Sequence, residues 1–325
     1  MNELIDLHVM AREQTFPLLT TPEGKQDLGL GGFLKKNEAR IQDDLKKHGA
    51  ILFRGFGLES VEDFNKAAGA LGDLIEYKER SSPRHSVAGR IYTSTDYPAD
   101  QEINMHNENS YSRSWPLKVI FFCLTPSTEG GETPIMDSRK VLSMLSEATR
   151  LKFQEKGVKY VRNLGNSLGL DWREVFQTDN KAEVEEYCTL RSIRYEWLSN
   201  DRLRLNYTTP AIRKHPVTGE AVWFNHAFFF NIHSLDAEFV EEILLVMEKE
   251  DFAFLSYYGD GSEIEKEVIE EIRAIYHRAA TRFTWQKGDF LLLDNMLVAH
   301  GRASFKGERK VLVAMMEPQS YKDYE

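Results

Sequence analysis

"EINMHNENSYSRSWPLKVIFFC", Glu102 to Cys123, governs how the rest of the chain is read. Its second half, continued to Leu124 as "LKVIFFCL", is apolar at odd and even positions alike. An extended segment of that kind is buried on both faces, as in a strand held between two layers. The first half carries His106 and Glu108, two residues apart. In an extended chain, positions i and i+2 point to the same face. The stretch therefore joins a core strand to a pair of metal-ligating side chains that share one target.

Further strand candidates are short and rich in β-branched and aromatic residues: "GAILFRGF", "RIYTST", "RLRLNY", "AVWFNH", "TRFTW", "DFLLLD" and "KVLVAMME". Helical spacing marks "SVEDFNKAAGALGDL", opened by Ser60 with an acid three residues on, and "DSRKVLSMLSEATRLKFQEKG". It also marks "DAEFVEEILLVMEKE" and "SEIEKEVIEEIRAIYHRAA". The last has Ser262 and Glu265 as a capping box and Ile264, Val268, Ile272 and Ile275 along one face. The strands are scattered and the longer helices cluster between them. The expected fold is mainly β with helical insertions: a double-stranded β-helix, the cupin-like jelly roll. No linker or repeat divides the chain, so one domain is expected over residues 1–325, with inserted helices at roughly 140–200 and 234–280.

Composition narrows the function. The chain has 325 residues, 41 Lys+Arg against 51 Asp+Glu, and a formal net charge of −10, which argues against a nucleic-acid binder. No apolar run reaches 18 residues, so no membrane span is expected. The stretch "MNELIDLHVMAREQ" lacks the basic and apolar regions of a secretion signal. Cys123 and Cys188 do not make a disulfide scaffold. A cytoplasmic protein is expected.

Imidazole and carboxylate suit a borderline divalent ion. Two histidines and one carboxylate on one face of an octahedron leave three positions open, as in non-haem Fe(II) oxygenases. An H-x-E pair alone is a weak signal, and the third ligand must come from elsewhere. Among His8, His48, His85, His215, His226, His233, His277 and His300, the last stands out, at the end of the apolar run "DFLLLDNMLVA". A polar group there must be satisfied, by a metal or as a hydrogen-bonded core histidine. Arg309, nine residues on, could clamp a carboxylate bidentately or lie in a surface turn. Thr133 in "GGETPIMD" could add a hydroxyl to that carboxylate, and Gly130 and Gly131 permit close backbone approach or form a plain turn.

Together "HNENSY", "GGETP" and "DNMLVAHGRASFKGER" resemble the taurine dioxygenase-like group of Fe(II)/2-oxoglutarate-dependent oxygenases. The likeness is nearest to enzymes that hydroxylate amino acids in nonribosomal peptide and antibiotic biosynthesis. It extends to "GAILFRGF", "YTSTDYP" and "HPVTGEAVWFNH", covering roughly Gly49 to Pro318. The resemblance implies Fe(II) held by His106, Glu108 and His300, with 2-oxoglutarate and O₂ as cosubstrates. It implies that Arg309 and Thr133 hold the far carboxylate of 2-oxoglutarate, with Lys310 the alternative if the register is off by one. The position of the second arginine of true taurine dioxygenases is Val313 here, which argues against a sulfonate substrate. Halogenases of the wider superfamily lack the triad carboxylate; Glu108 is present.

The reaction so implied is hydroxylation of an unactivated C–H bond in an amino acid or amino-acid-derived substrate, free or tethered to a carrier protein. Desaturation, epoxidation or cyclisation on the same metal, and catabolic oxidation of a small acid, are the alternatives, ahead of a metal-free jelly-roll binding protein or a zinc hydrolase. Asn104 shares the face of His106 and is a candidate cosubstrate contact. Candidate substrate contacts are Arg80 and Arg84 in a loop broken by serine and proline, Ser110, Tyr111 and Trp115 beyond the triad, and Asn225 and His226. For His226 a core role is the alternative. A homo-oligomer is compatible with the sequence.

Overall fold

The computed structural model describes residues 16–22, 29–76, 86–93, 97–165 and 169–320. In chain order, the early strands are β1 (Leu18–Thr20), β2 (Ala50–Phe53), β3 (Ser86–Ala88), β4 (Ile91–Thr93), β5 (Ile103–His106) and β6 (Ser114–Thr125). Then follow β7 (Glu129–Gly130), β8 (Ile135–Asp137), β9 (Val158–Leu164), β10 (Arg194–Leu198), β11 (Arg202–Thr209), β12 (Ile212–Lys214) and β13 (Ala221–Trp223). The last are β14 (Phe254–Tyr258), β15 (Phe290–Asp294), β16 (Val298–Arg302), β17 (Phe305–Lys306) and β18 (Lys310–Ser320). Helices α1 (Gly29–Lys36), α2 (Glu38–His48) and α3 (Val61–Gly69) precede the site; α4 (Ser138–Met144), α5 (Glu147–Lys156), α6 (Trp172–Phe176), α7 (Lys181–Leu190), α8 (Ala237–Leu244) and α9 (Lys266–Ala279) are inserted between strands.

A seven-stranded sheet, β1-β2-β15-β6-β18-β4-β3, faces a three-stranded one, β5-β16-β8. This is the jelly-roll core, and β6 explains it. Leu117, Val119, Phe121 and Cys123 pack with Val313 of β18, Ile135 of β8 and Val298 of β16, filling the space between the two sheets. Ile120 and Phe122 point the other way, joining Phe53, Phe290 and Leu312 beneath α1 to α3. The two-sided apolar run is thus a strand with one core on each side. Phe122 is fully buried and stacked on Phe64, with ring centroids 5.1 Å apart; truncating it to alanine costs about 3–5 kcal/mol.

A third layer covers the outside of the small sheet. The sheet β10-β11-β9-β14 and α9 share a cluster with Met136 of β8 and Ala299 of β16. Helix α9 buries Ile269, Ile272, Ile275, Tyr276 and Ala279, a helical stripe.

Four local expectations change. The segment expected as one helix from Asp137 breaks at Leu145, and Ser146 caps a second helix by accepting from the Thr149 amide. Helix α9 starts at Lys266 without a capping box, because Ser262 turns its hydroxyl to Asp260 and Glu265 pairs with Lys152 and Tyr258. By contrast, Ser60 and Asp63 do form theirs. "TRFTW" contributes only a bridge from Thr281 to Ile135. Finally, the segments read as helical insertions also hold β9, β10 and β14, which supply most of the third layer's sheet. Among the described residues, no helix is long and apolar enough to cross a membrane.

Candidate metal centre

The site is built where β5 and β16 run side by side. His106 ends β5 and stands directly opposite His300 in the antiparallel ladder, while Ile135 of β8 flanks His300 on its other side. Cross-strand neighbours bring their Cβ atoms within about 5 Å, and the two imidazole centroids lie 4.6 Å apart. Glu108 falls just past the strand, in a turn. It nevertheless reaches the same point: His300 Nε2 and Glu108 Oε2 are 4.0 Å apart. One ligating atom from each of His106, Glu108 and His300 lies within 4.8 Å of the others.

Burial sharpens this. Glu108 is 2% exposed and His300 4%. A carboxylate withdrawn from water beside two imidazoles is costly unless a cation balances it, so the donor set fits a divalent ion. His106 Nδ1 lies 2.8 Å from the main-chain oxygen of Asn104. A carbonyl only accepts, so Nδ1 carries the proton and Nε2 keeps the lone pair needed for coordination. What the structure shows for Asn104, expected as a cosubstrate contact, is a backbone contact that orients His106; the residue itself is exposed. Phe121 packs against His300 and Phe229 against His106, each at 4.9 Å between ring centroids, walling the histidines with apolar surface.

A second group comes together at the Gly130–Thr133 segment. Arg309, at the entry to β18, lays its side chain across this segment: Nε donates to the Gly131 carbonyl at 2.8 Å, and Nη2 lies 3.5 Å from Thr133 Oγ1. The Trp285 indole donates to that hydroxyl at 3.1 Å. Gly131 has a φ of +72°, and a Cβ there would sit 2.4 Å from Ser127 Oγ and 3.0 Å from Arg309 Cδ. Only glycine lets the arginine pass. Burial, then the charge of Arg302, pushes the Arg309 pKa down to about 10, so it remains a cation at neutral pH. Its neighbour Lys310 is exposed. Val313 is buried opposite Phe121 in the β6–β18 ladder.

The other candidates scatter. Ser110, Tyr111 and His226 gather one ring away from the triad. Ser110 Oγ and His226 Nδ1 are 2.6 Å apart, Tyr111 and His226 have centroids 5.1 Å apart, and His226 is 5.8 Å from His106. Burial first, then the charges of His106, Arg162 and Arg213, hold the His226 pKa well below its ordinary value, so it is neutral. Asn225 engages the main chain, donating to Ala211 and accepting from Ala227. Trp115 is buried against Phe224 and under the Arg213 guanidinium. Arg80 and Arg84 lie outside the described residues.

Sequence reasoning passed over Phe121, Phe229, Trp285, Asn107, Asn295 and Arg302. Arg302 is buried two residues after His300 and donates to the carbonyls of Tyr97, Pro98 and Gln101, fixing the approach to β5. The signal was present: a polar residue inside a run of buried ones must have partners.

The sequence pattern of the taurine catabolism dioxygenase TauD, TfdA family matches residues 15–316. The chain is 39% identical over 279 residues to the dapdiamide synthesis protein DdaC of Enterobacter agglomerans, covering 86% of this chain and 85% of that one. It is 30% identical over 295 residues to a clavaminate synthase-like protein of Arabidopsis thaliana, covering 87% and 86%. Among solved structures, PvcB of Pseudomonas aeruginosa superposes with a TM-score of 0.55 at 15% identity, covering 91% of this chain and 84% of that one. PvcB is an Fe, α-ketoglutarate dependent oxygenase from an isonitrile synthetic pathway; at that identity the likeness is one of fold.

Proposed function

Because this chain belongs to the TauD/TfdA dioxygenase family, we propose that it is an Fe(II)/2-oxoglutarate-dependent oxygenase hydroxylating an amino acid or amino-acid-derived substrate. The observation that carries the reading is the convergence of His106, Glu108 and His300 within 4.8 Å of one another. His106, Glu108 and His300 would hold Fe(II), which would supply the oxidising chemistry that couples 2-oxoglutarate and O₂ consumption to oxidation of a C–H bond.

The chain's own residues do the rest. His106 and His300 present imidazole nitrogens from paired strands, and Glu108 supplies the anionic ligand. Arg309 and Thr133 take the far carboxylate of 2-oxoglutarate; a guanidinium matches a carboxylate with two charge-assisted hydrogen bonds. Phe121 and Phe229 exclude water beside the ligands, which protects a reactive site from side reactions. Asn104, at the mouth of β5, is the remaining cosubstrate contact. Ser110, Tyr111 and His226 are buried and back His106 from inside the protein, so their influence on substrate runs through His106.

The likeness to a dapdiamide synthesis protein supports a substrate from natural-product assembly, either free or held on a carrier protein. Val313, apolar and buried, gives a sulfonate no partner. The test is anaerobic titration of the metal-free protein with Fe(II) and then 2-oxoglutarate. A weak visible charge-transfer band is expected, followed by substrate-dependent succinate release in air. A zinc hydrolase or a metal-free binding protein gives neither.

A further inference from the structure

Glu108 is the one ligand of the three that no strand holds. It sits in the turn after β5, next to Asn109, whose φ is +56°. A carboxylate in a turn is free to swing unless its main chain is fixed. Asn295 lies across from it, fully buried in the turn between β15 and β16. Its side-chain Oδ1 accepts from the Glu108 amide at 2.7 Å, and its Nδ2 donates to the Glu108 carbonyl at 2.9 Å and to the Pro116 carbonyl at 2.8 Å. The Asn295 backbone amide donates to Leu117 O at 2.7 Å, and its carbonyl accepts from Asn107 Nδ2, also at 2.7 Å.

We infer that Asn295 is the positioning residue for Glu108, a side-chain amide that stands in for the missing ladder strand. The Glu108 amide and carbonyl, which belong to the two peptide units on either side of its Cα, are met by the two ends of one carboxamide, so rotation of Glu108 about its backbone is restrained. The amide orientation is unambiguous. Flipping it would turn the NH₂ group toward the Glu108 N–H and the oxygen toward two carbonyls. Asn295 also stands five residues before His300, so the turn that fixes Glu108 also leads into the strand bearing His300. Asp294 accepts from the amides of Met296 and Leu297 and from His215 Nε2 at 2.9 Å, which stiffens that turn. Asn107 closes the circuit by also donating to Ser138 Oγ.

This inference rests on reading His106, Glu108 and His300 as the metal set, and the test separates the two. Metal-free wild type, Asn295→Ala, Asn295→Asp and the distant core variant Ile272→Ala are each titrated with Co(II), following the visible bands that report its coordination. Partners that orient a ligand typically change metal affinity by about 10- to 100-fold when lost. That weakening, with altered bands at saturation, is expected for both Asn295 variants. Ile272→Ala should keep wild-type affinity although it loses stability. A folded Asn295 variant with wild-type affinity and bands overturns the inference. A wild type that takes up no Co(II), or a His106→Ala variant that binds as well as wild type, overturns the ligand assignment instead. Should neither Asn295 variant fold, hydrogen exchange of the metal-free wild type decides. Slow exchange at the Glu108 amide upholds the clamp, and exchange at the rate of an open turn refutes it.

Discussion

At one end of the site, three short side chains are aimed by the backbone that carries them. At the other, one long side chain crosses from β18 to the Gly130–Thr133 segment and is held along its length. The ligand end depends on register: His106 faces His300 because β5 and β16 pair at those residues. The clamp end depends on clearance, since Arg309 reaches Thr133 because Gly131 leaves room. The difference shows where each end is vulnerable. On the proposed reading a ligand cannot be replaced by a neighbour, whereas Arg309 is a single charge outside the His106–Glu108–His300 cluster.

The largest expected effect tests that asymmetry. His106→Ala or His300→Ala should reduce turnover to background, a greater loss than the roughly 10–100-fold typical when an outer partner is removed. Melting temperature should change little, since each removes a ligand beside the core. Glu108→Ala should lose hydroxylation while binding some metal through the two histidines. Substantial succinate release from either histidine variant with substrate present would break the ligand assignment.

Arg309→Ala comes next. Removing one partner of a buried charge pair costs about 2–5 kcal/mol, or roughly 30-fold to several-thousand-fold in 2-oxoglutarate affinity. Iron binding should be unchanged. Arg309→Lys should recover little, because an ammonium lacks the planar fork. Lys310→Ala is the contrast, since that side chain is exposed and should titrate as wild type. Anaerobic titration followed by the charge-transfer band reads all three. If only the lysine variant fails, the clamp is one residue further along the chain.

Much of this was legible in the sequence, and what was not has a physical reason. His106, Glu108 and His300 come together, as do Arg309 and Thr133, as the family resemblance led one to expect; spacing alone left the H-x-E pair a weak signal and Arg309 open to a surface turn. The β6 strand was legible because an apolar run of that length on both faces has one comfortable home. Strand β9, "VKYVRNL", was not: Arg162 and Asn163 interrupt its pattern, and both are buried with polar partners that only the fold supplies. Asn295 was hidden for the same reason, because an Asp-Asn pair reads as a turn and nothing local shows that its amide reaches a residue 187 positions away. Helix α8 misled in the other direction. Its sequence is amphipathic, yet none of its residues is fully buried, and Leu245 and Val246 beyond it are more than 80% exposed.

A smaller effect is expected at Thr133. Its hydroxyl accepts from Trp285 and lies at the edge of hydrogen-bonding range from Arg309. Thr133→Val keeps the shape and removes the hydrogen bonds, at a cost of about 0.5–1.5 kcal/mol each. The 2-oxoglutarate affinity should fall by roughly 2- to 13-fold, well short of Arg309→Ala. An equal loss in the two variants would mean that the hydroxyl, and not the charge, carries the clamp.

The last test uses acid to separate the two ends. Burial, with His106, Arg162 and Arg213 close by, holds the His226 pKa well below its ordinary 6.5 in the folded chain. On unfolding it returns to that value. Between the two values the unfolded chain binds the extra proton, so stability rises with pH there. The contribution of a neutral His226 is therefore complete above about pH 6.5 and is lost as the pH falls below it, by at most about 1.4 kcal/mol per pH unit. Arg309 adds nothing over that range, because its pKa of about 10 keeps it charged throughout. Urea midpoints of the metal-free protein from about pH 8 to about pH 5 should fall on the acid side, and less steeply for His226→Gln, which keeps a polar partner for Ser110. An unchanged slope in His226→Gln would mean that the acid sensitivity belongs to other groups, such as His233, whose pKa burial also lowers. In either case Arg309→Gln should leave the pH dependence as it is, because its titration lies far above the range.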